Sequence, residues 1–281
     1  RDIVFPFLNK KNSFNSDYCF GNLFIWKDKV KTAFSVDDDT LFIRLFLKGK
    51  TKYLFPCSEN PKNAINKLIS IDKELILIDV SKEDKEFIER EFADRFVIEE
   101  NPEAFDYLYL KSDLSELSGS KYHSKRNFIT RFKKLYPDFS LEPIGKNNIK
   151  FCFEMADDWL FTFNKDEITE DMLFEKKAIE YCLNYFDELK FYGCMLKVKN
   201  ETIAFTVGER LNNLTHVIHV EKANTDYVGS YPVINQTCAS SLCNEIEFIN
   251  REEDMGLPGL KKSKESYFPI KMIKKYTLTL K

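Results

Sequence analysis

The chain has 281 residues, which suggests about two domains of ordinary size and ample length for a buried core. Hydrophobic residues make up 43% and charged residues 31%, which excludes a disordered, collagen-like or linker-dominated chain. Lys and Arg total 42 against 45 Asp and Glu, so the net charge of -3 gives no global cationic field for nucleic acid.

Strands are expected at 31–36, 41–48 and 51–56, joined by the turns Asp37-Asp38-Asp39 and Lys48-Gly49-Lys50. Pro61 opens a helix near 60–70 with Ala64, Ile65, Leu68 and Ile69 on one face. A buried strand follows at 75–80, and Ser81-Lys82-Glu83-Asp84 caps a helix reaching about Asp94. Two more strands are expected at 95–99 and 105–111. The helix expected at 121–136 carries Lys121, Lys125, Arg126, Arg131, Lys133 and Lys134 with no acid, and Pro137 ends it. Beyond it come a strand at 139–143 and helices at 147–164 and 168–188, the second capped by Thr169. A meander at 191–199, 202–209 and 214–222 leads to a helix at 231–244 and a strand at 246–250. A short helix at 260–267 and a last strand at 271–280 complete the series.

Set side by side, the halves share an order: a three-strand meander, then helix, strand, helix, strand. In the second half the fuller order, strand–helix–helix–three strands–helix–strand–helix–strand, is that of the GNAT acyltransferase fold. The expectation is a mixed α/β (α+β) protein of two tandem GNAT-like domains, each a mixed sheet flanked by helices. The first, 1–137, carries the basic helix 121–136 and lacks the fold's opening helices; the second, 138–281, carries the site.

The 7 cysteines form no CxxC pair and have no His-rich partner segment, so neither a disulfide framework nor a metal site is expected. No apolar run approaches the roughly 20 residues that span a bilayer. The opening RDIVFPF lacks a basic region followed by a long apolar one, so no signal peptide is expected and a reduced, cytoplasmic setting fits. His216 and His219, three apart on a strand, do not suit a metal pair.

Four segments carry candidate chemistry. In VIHVEKANTDYVGSYPVIN (217–235) an apolar strand meets a polar loop and a helix start, with Gly229 and Ser230 where unpaired amides suit a phosphate or carboxylate. The same residues also suit an ordinary strand–helix turn, and the lone Gly229 is a reduced version of the Gly-rich loop that holds CoA pyrophosphate in GNAT enzymes. NREEDMGLPGLKKSKESYFP (250–269) follows a core strand with a dense polar cluster, where Arg251 suits a carboxylate or phosphate and the acids suit an amine. Glu221, ending a meander strand, suits a general base, or a solvated Glu–Lys pair with Lys222. The amphipathic cationic helix, with its stripe Phe128, Ile129 and Phe132, suits RNA phosphate, CoA phosphate, an anionic membrane surface or plain solvent.

At these residues the sequence resembles the bacterial phosphatidylglycerol lysyltransferase C-terminal-like family. The stretches that carry the likeness are FGNLFIW (20–26), FDYLYLKSDLSELSGSKYHSKRNFITRF (105–132), HVEKANTDYVGSYPVINQTCA (219–239) and NREEDMGLPGLKKSKESYFP (250–269). The resemblance implies paired GNAT-like domains, as in the Fem peptidyltransferases, and transfer of an acyl or aminoacyl group. The donor would be acyl-CoA or aminoacyl-tRNA as co-substrate, with no tightly bound cofactor, and the acceptor an amine or hydroxyl on a small molecule or lipid. It implies Lys125, Arg126, Gly229 and Ser230 as donor-binding residues, and Asn235, Asn250, Arg251, Glu252, Asp254 and Lys264 as substrate-binding residues. Glu221 and Tyr267 become candidate base and acid, although Tyr267 lies farther from Asn250 than the usual GNAT spacing. The alternative reading is a non-catalytic GNAT-fold protein that binds tRNA, an amino-acid-like ligand or an anionic membrane surface.

Overall fold

A computed structural model describes the backbone of residues 1–163 and 168–281, and their side chains except those of 160–163. In chain order the elements begin with α1 (Phe5–Lys11), α2 (Phe20–Ile25), α3 (Lys27–Val30), β1 (Ala33–Asp37), β2 (Thr40–Leu47) and β3 (Lys50–Leu54). They continue with α4 (Pro61–Ile71), β4 (Ile76–Val80), α5 (Lys82–Glu91), β5 (Phe96–Glu100), β6 (Asp106–Leu110), α6 (Lys111–Glu116) and α7 (His123–Leu135). Next come β7 (Phe139–Pro143), α8 (Lys150–Phe163), α9 (Glu170–Asn184), β8 (Tyr192–Val198), β9 (Glu201–Arg210) and β10 (Thr215–Ala223). The series closes with α10 (Ser230–Ser241), β11 (Phe248–Asn250), α11 (Pro258–Glu265), β12 (Lys271–Ile273) and β13 (Tyr276–Leu280). The expected helix end at 164 lies outside the described residues.

The chain divides into two compact units. The first is Arg1–Tyr107, Glu252–Lys262 and Lys271–Lys281; the second is Leu108–Arg251 and Ser263–Ile270. The expected division at 137/138 falls inside the second unit, and the end of the chain returns to the first.

In the first unit the sheet runs β1-β2-β3-β4-β13-β5, with β3 and β4 parallel and β13 antiparallel to both its neighbours. Ser81 caps α5 by accepting a hydrogen bond from the Asp84 amide, and α4 buries Ala64, Ile65, Leu68 and Ile69, as their spacing requires. The unit does have opening helices, which corrects the expectation that it lacks them. At 7, 6 and 4 residues, α1 to α3 are too short to show a full amphipathic repeat. Packing holds α1: Val4 and Leu8 join Tyr18, Leu41, Ile43 and Leu45 in one core cluster.

The expected single strand at 271–280 is broken at Lys275, whose side chain is 1% exposed. Its ammonium lies 2.7 Å from both Asp17 and Asp106. Asp79 and Glu253 sit in the same buried field, and burial pushes Asp79 up to about 8 and Glu253 up to about 7. Burial opposes the charge of Lys275, but Asp106, Asp17, Glu253 and Asp79 together hold its pKa well above the ordinary value, so it stays charged.

In the second unit the strands run β6-β11-β10-β9-β8-β7. The meander β8-β9-β10 is antiparallel, and β11 lies parallel to β10. Helix α10 packs against the sheet through β8, β9 and β10, while α8 packs on β9 and β10. Gly208 is fixed by space: a Cβ there would stand 2.0 Å from the Val217 carbonyl oxygen.

Candidate functional site

The site begins with a short ladder. β10 pairs with β11 only over Thr215–Val217 against Phe248–Asn250, whereas β10 continues to Ala223 beside β9. A register shift between Ile218 and Val220 bends β10 just where β11 stops. Past this point the two strands part. Glu221 stands on the released half of β10, and Arg251 follows the last residue of β11.

These two side chains meet. Arg251 Nη2 donates to Glu221 Oε1 at 2.8 Å, with the side chains 9% and 11% exposed. Asn235, buried on α10, donates through Nδ2 to Glu221 Oε2 at 3.1 Å. Two atoms are left over: Arg251 Nη1 and Asn235 Oδ1 are both shielded from solvent and neither has a hydrogen-bond partner. One is a donor and the other an acceptor, flanking the same carboxylate. An unmade bond of this kind costs about 1–3 kcal/mol, which marks the pair as the candidate contact for a ligand or an ordered water.

Aromatic rings line the guanidinium. Arg251 Cζ lies 4.9 Å from the centroid of Tyr267 and 5.7 Å from that of Tyr109. Tyr109 donates its hydroxyl to the Lys264 carbonyl at 2.8 Å, and Tyr122 donates to the Tyr267 carbonyl at 2.9 Å, fixing the end of α11 and the segment after it. Burial pushes the phenols of Tyr267 and Tyr109 well above their ordinary range, so both stay protonated. For Arg251, burial opposes its charge, but Glu221 together with the oxygens of Tyr109 and Tyr267 raises the pKa overall.

Lys264 is buried and donates to the Arg251 carbonyl at 2.5 Å, so it orders the backbone behind the guanidinium. Asn250 is fully buried, with its backbone laddered between Val217 and Leu108. Lys125 turns inward from α7: its ammonium lies 3.9 Å over the Tyr267 ring and donates to Ser266 Oγ at 2.6 Å. The structure therefore gathers Glu221, Asn235, Asn250, Arg251, Lys264, Tyr267 and Lys125.

Other expected residues are placed differently. Arg126 donates to the Leu117 and Gly119 carbonyls at 2.5 and 2.6 Å, closing the turn after α6, and Lys121 pairs with Asp113. Gly229 has φ 96°, and a Cβ on it would lie 2.7 Å from the Phe128 carbonyl oxygen, so the backbone of α7 stands over the start of α10. The Ser230 hydroxyl donates to the Asn224 carbonyl at 2.8 Å. Glu252 and Asp254 belong to the first unit, where Asp254 accepts from the Tyr107 hydroxyl at 2.5 Å and the Gly256 amide at 2.8 Å. The left-handed backbone at Glu252, φ 56°, turns the chain away directly after Arg251. Tyr109 and Ser266 were not anticipated; the signal available for the former was a pair of tyrosines, Tyr107 and Tyr109, alternating along a core strand.

The phosphatidylglycerol lysyltransferase C-terminal family matches residues 9–279. The chain belongs to this family. Among solved structures, a conserved protein of unknown function from Bacteroides thetaiotaomicron VPI-5482 is 34% identical, with a TM-score of 0.95 over 100% of this chain and 96% of that one. The DUF2156 C-terminal domain of an Agrobacterium fabrum protein is 12% identical, with a TM-score of 0.67 over 98% of this chain and 90% of that one. L-PGS from Bacillus licheniformis is 13% identical, with a TM-score of 0.62 over 92% and 91%. The last two share the fold. No curated protein matches the sequence. Among the described residues, no helix of this family member is long and apolar enough to cross a membrane.

Proposed function

We propose that the second unit transfers an aminoacyl group from an activated ester to an amine or hydroxyl acceptor. The observation that carries this reading is the pair of unpartnered atoms beside Glu221. An aminoacyl ester offers a carbonyl oxygen that accepts from Arg251 Nη1 and an α-ammonium that donates to Asn235 Oδ1. A plain acyl group satisfies the first and leaves the second unmet.

In the step itself, the acceptor nitrogen or oxygen bonds to the acyl carbon and the ester bond to the donor oxygen breaks. In this reading Glu221 takes the acceptor's proton. Tyr267, kept protonated by burial, supplies one to the leaving oxygen. Charge developing on the carbonyl oxygen is met by Arg251, aimed in advance by Glu221 and the two tyrosines. The family name specifies a lysyl group and phosphatidylglycerol, which suggests an amino acid as cargo and a hydroxyl as acceptor. An aminoacyl-tRNA donor is favoured over acyl-CoA because α7 occupies the space over the start of α10, where a CoA pyrophosphate would be held.

The test is label transfer from a pool of tRNA charged with radioactive amino acids, and in parallel from labelled acetyl-CoA, to phosphatidylglycerol vesicles and to a mixture of soluble amines. Transfer from the tRNA pool supports the reading. Transfer from acetyl-CoA alone, or from neither donor, contradicts it.

A further inference from the structure

The transfer scheme leaves two cations of the cluster unused: Lys264, which is spent on the Arg251 carbonyl, and Lys125. Its ammonium and the Arg251 guanidinium share the Tyr267 ring, at 3.9 and 4.9 Å from the centroid. Both also lie in the field of the Glu221 carboxylate, which itself accepts from Arg251 Nη2 and Asn235. The hydrogen bond of Lys125 goes to a neutral hydroxyl, Ser266 Oγ, and among the described residues no carboxylate pairs with it. The charged groups that face it are Arg251 and Glu221; Tyr267 beneath it is neutral. On its own helix Arg126 is held by two carbonyls, and Lys121, just before the helix, is held by Asp113.

The geometry points to an oxyanion subsite made by Lys125 together with the unpartnered Nη1 of Arg251, in which the anion that binds draws a proton onto Lys125. The inference rests on the reading that substrate enters the cleft beside Glu221, and it extends that reading to the reacting oxygen. Two cations in the field of one carboxylate leave a surplus positive charge, which an anionic oxygen would balance. Burial lowers Lys125 to about 8, helped by repulsion from Arg251 and opposed by Glu221. Around pH ~8 the amine is therefore poised between its forms. An anion within about 4–6 Å favours the ammonium by roughly 1–3 pKa units. Binding should consequently take up a proton around pH ~8, and affinity should fall as pH rises. Lys125 would thus be a catalytic residue that touches the reacting oxygen and gains its full charge as the oxyanion forms.

Sulfate and acetate are the probes, because neither changes charge between pH ~6 and ~10 and any pH dependence then belongs to the protein. Calorimetry on the full chain, in two buffers of different ionisation enthalpy, gives affinity and protons taken up together. Sulfate compared with acetate tells whether the subsite prefers a tetrahedral or a planar anion. The expected result is a loss of about tenfold or more in affinity from pH ~7 to ~9.5, with net proton uptake between. Lys125→Arg should hold the anion across the whole range without proton uptake, and Lys125→Met should bind weakly and independently of pH. Affinity that is flat with pH in the unmodified chain, pH dependence that survives in Lys125→Met, or no binding of either anion by the folded chain at neutral pH would each overturn the inference. A chain that shows the linkage but moves no aminoacyl label supports the subsite and contradicts the transferase reading.

Discussion

The Arg251–Glu221 pair makes the strongest stability prediction. Both side chains are about nine-tenths buried, 2.8 Å apart, with Asn235 on the second carboxylate oxygen. Removing one partner strands the other as a buried, uncompensated charge, which costs about 3–5 kcal/mol. Arg251→Met and Glu221→Leu should each destabilise the second unit by about that much. The double variant, which removes both charges and fills the space with apolar atoms, should recover most of the loss and lie within about 2 kcal/mol of the starting protein. The coupling energy of the cycle should thus be at least about 3 kcal/mol. Urea unfolding followed by the fluorescence of Trp159, in a Trp26→Phe background, reports on the second unit, since these are the 2 tryptophans of the chain and Trp26 lies in the first. Additive single effects, with coupling under about 0.5 kcal/mol, would refute the claim that the two residues act as one buried unit.

Other consequences are as direct. Tyr267→Phe should lower kcat for label transfer by about 10²–10⁴-fold with little change in KM, as loss of a proton donor requires; an unchanged kcat removes Tyr267 from the reaction. Asp79 and Glu253 have folded pKa values of about 8 and about 7, above those of free carboxyls, so their contribution is fully present at low pH and is lost as pH rises through about 7 to 8. Asp79→Asn keeps a residue tolerant of the left-handed backbone found there, φ 53°, and should raise the Tm above pH ~8 while leaving it nearly unchanged near pH ~4; a lower Tm at pH ~9 would sink the assignment. Gly208→Ala would bring a methyl against the Val217 carbonyl, and should cost more than about 2 kcal/mol in urea titration.

Much of the fold was legible because local pattern carries element type. The alternation at 41–48 and the helical spacing of Ala64, Ile65, Leu68 and Ile69 reappear in β2 and α4. Partnership was not legible. β6 and β13 read as strands, yet nothing in a period of two says that β13 pairs with β4 and β5, or β6 with β11. The helices α1 to α3 were missed because short helices held by tertiary packing carry little periodic signal.

The candidate site was half legible. Glu221 and Arg251 stood out as charges at the ends of core strands, and the fold brings them into contact although 30 residues separate them. Glu252 and Asp254 were grouped with Arg251 because they are adjacent in sequence. The positive φ at Glu252 turns them into the other unit, a backbone event that residue type does not announce. The sequence offers Lys125 and Arg126 alike as donor-binding residues; in the fold one points at Tyr267 and the other closes a turn, a difference that two adjacent basic residues do not announce.

The central claim is that Arg251 and Asn235 receive an aminoacyl ester beside Glu221. Its most direct test is calorimetric binding of a stable mimic of a charged tRNA 3′ end, an adenosine carrying lysine in amide linkage, to the unmodified chain and to Arg251→Met, Asn235→Ala and Tyr267→Phe. The account predicts binding to the unmodified chain and to Tyr267→Phe, with a loss of about tenfold or more in Arg251→Met and Asn235→Ala, as the removal of a buried hydrogen bond to a charged group implies. Equal affinity in all four proteins, or no binding by the folded unmodified chain, would contradict it.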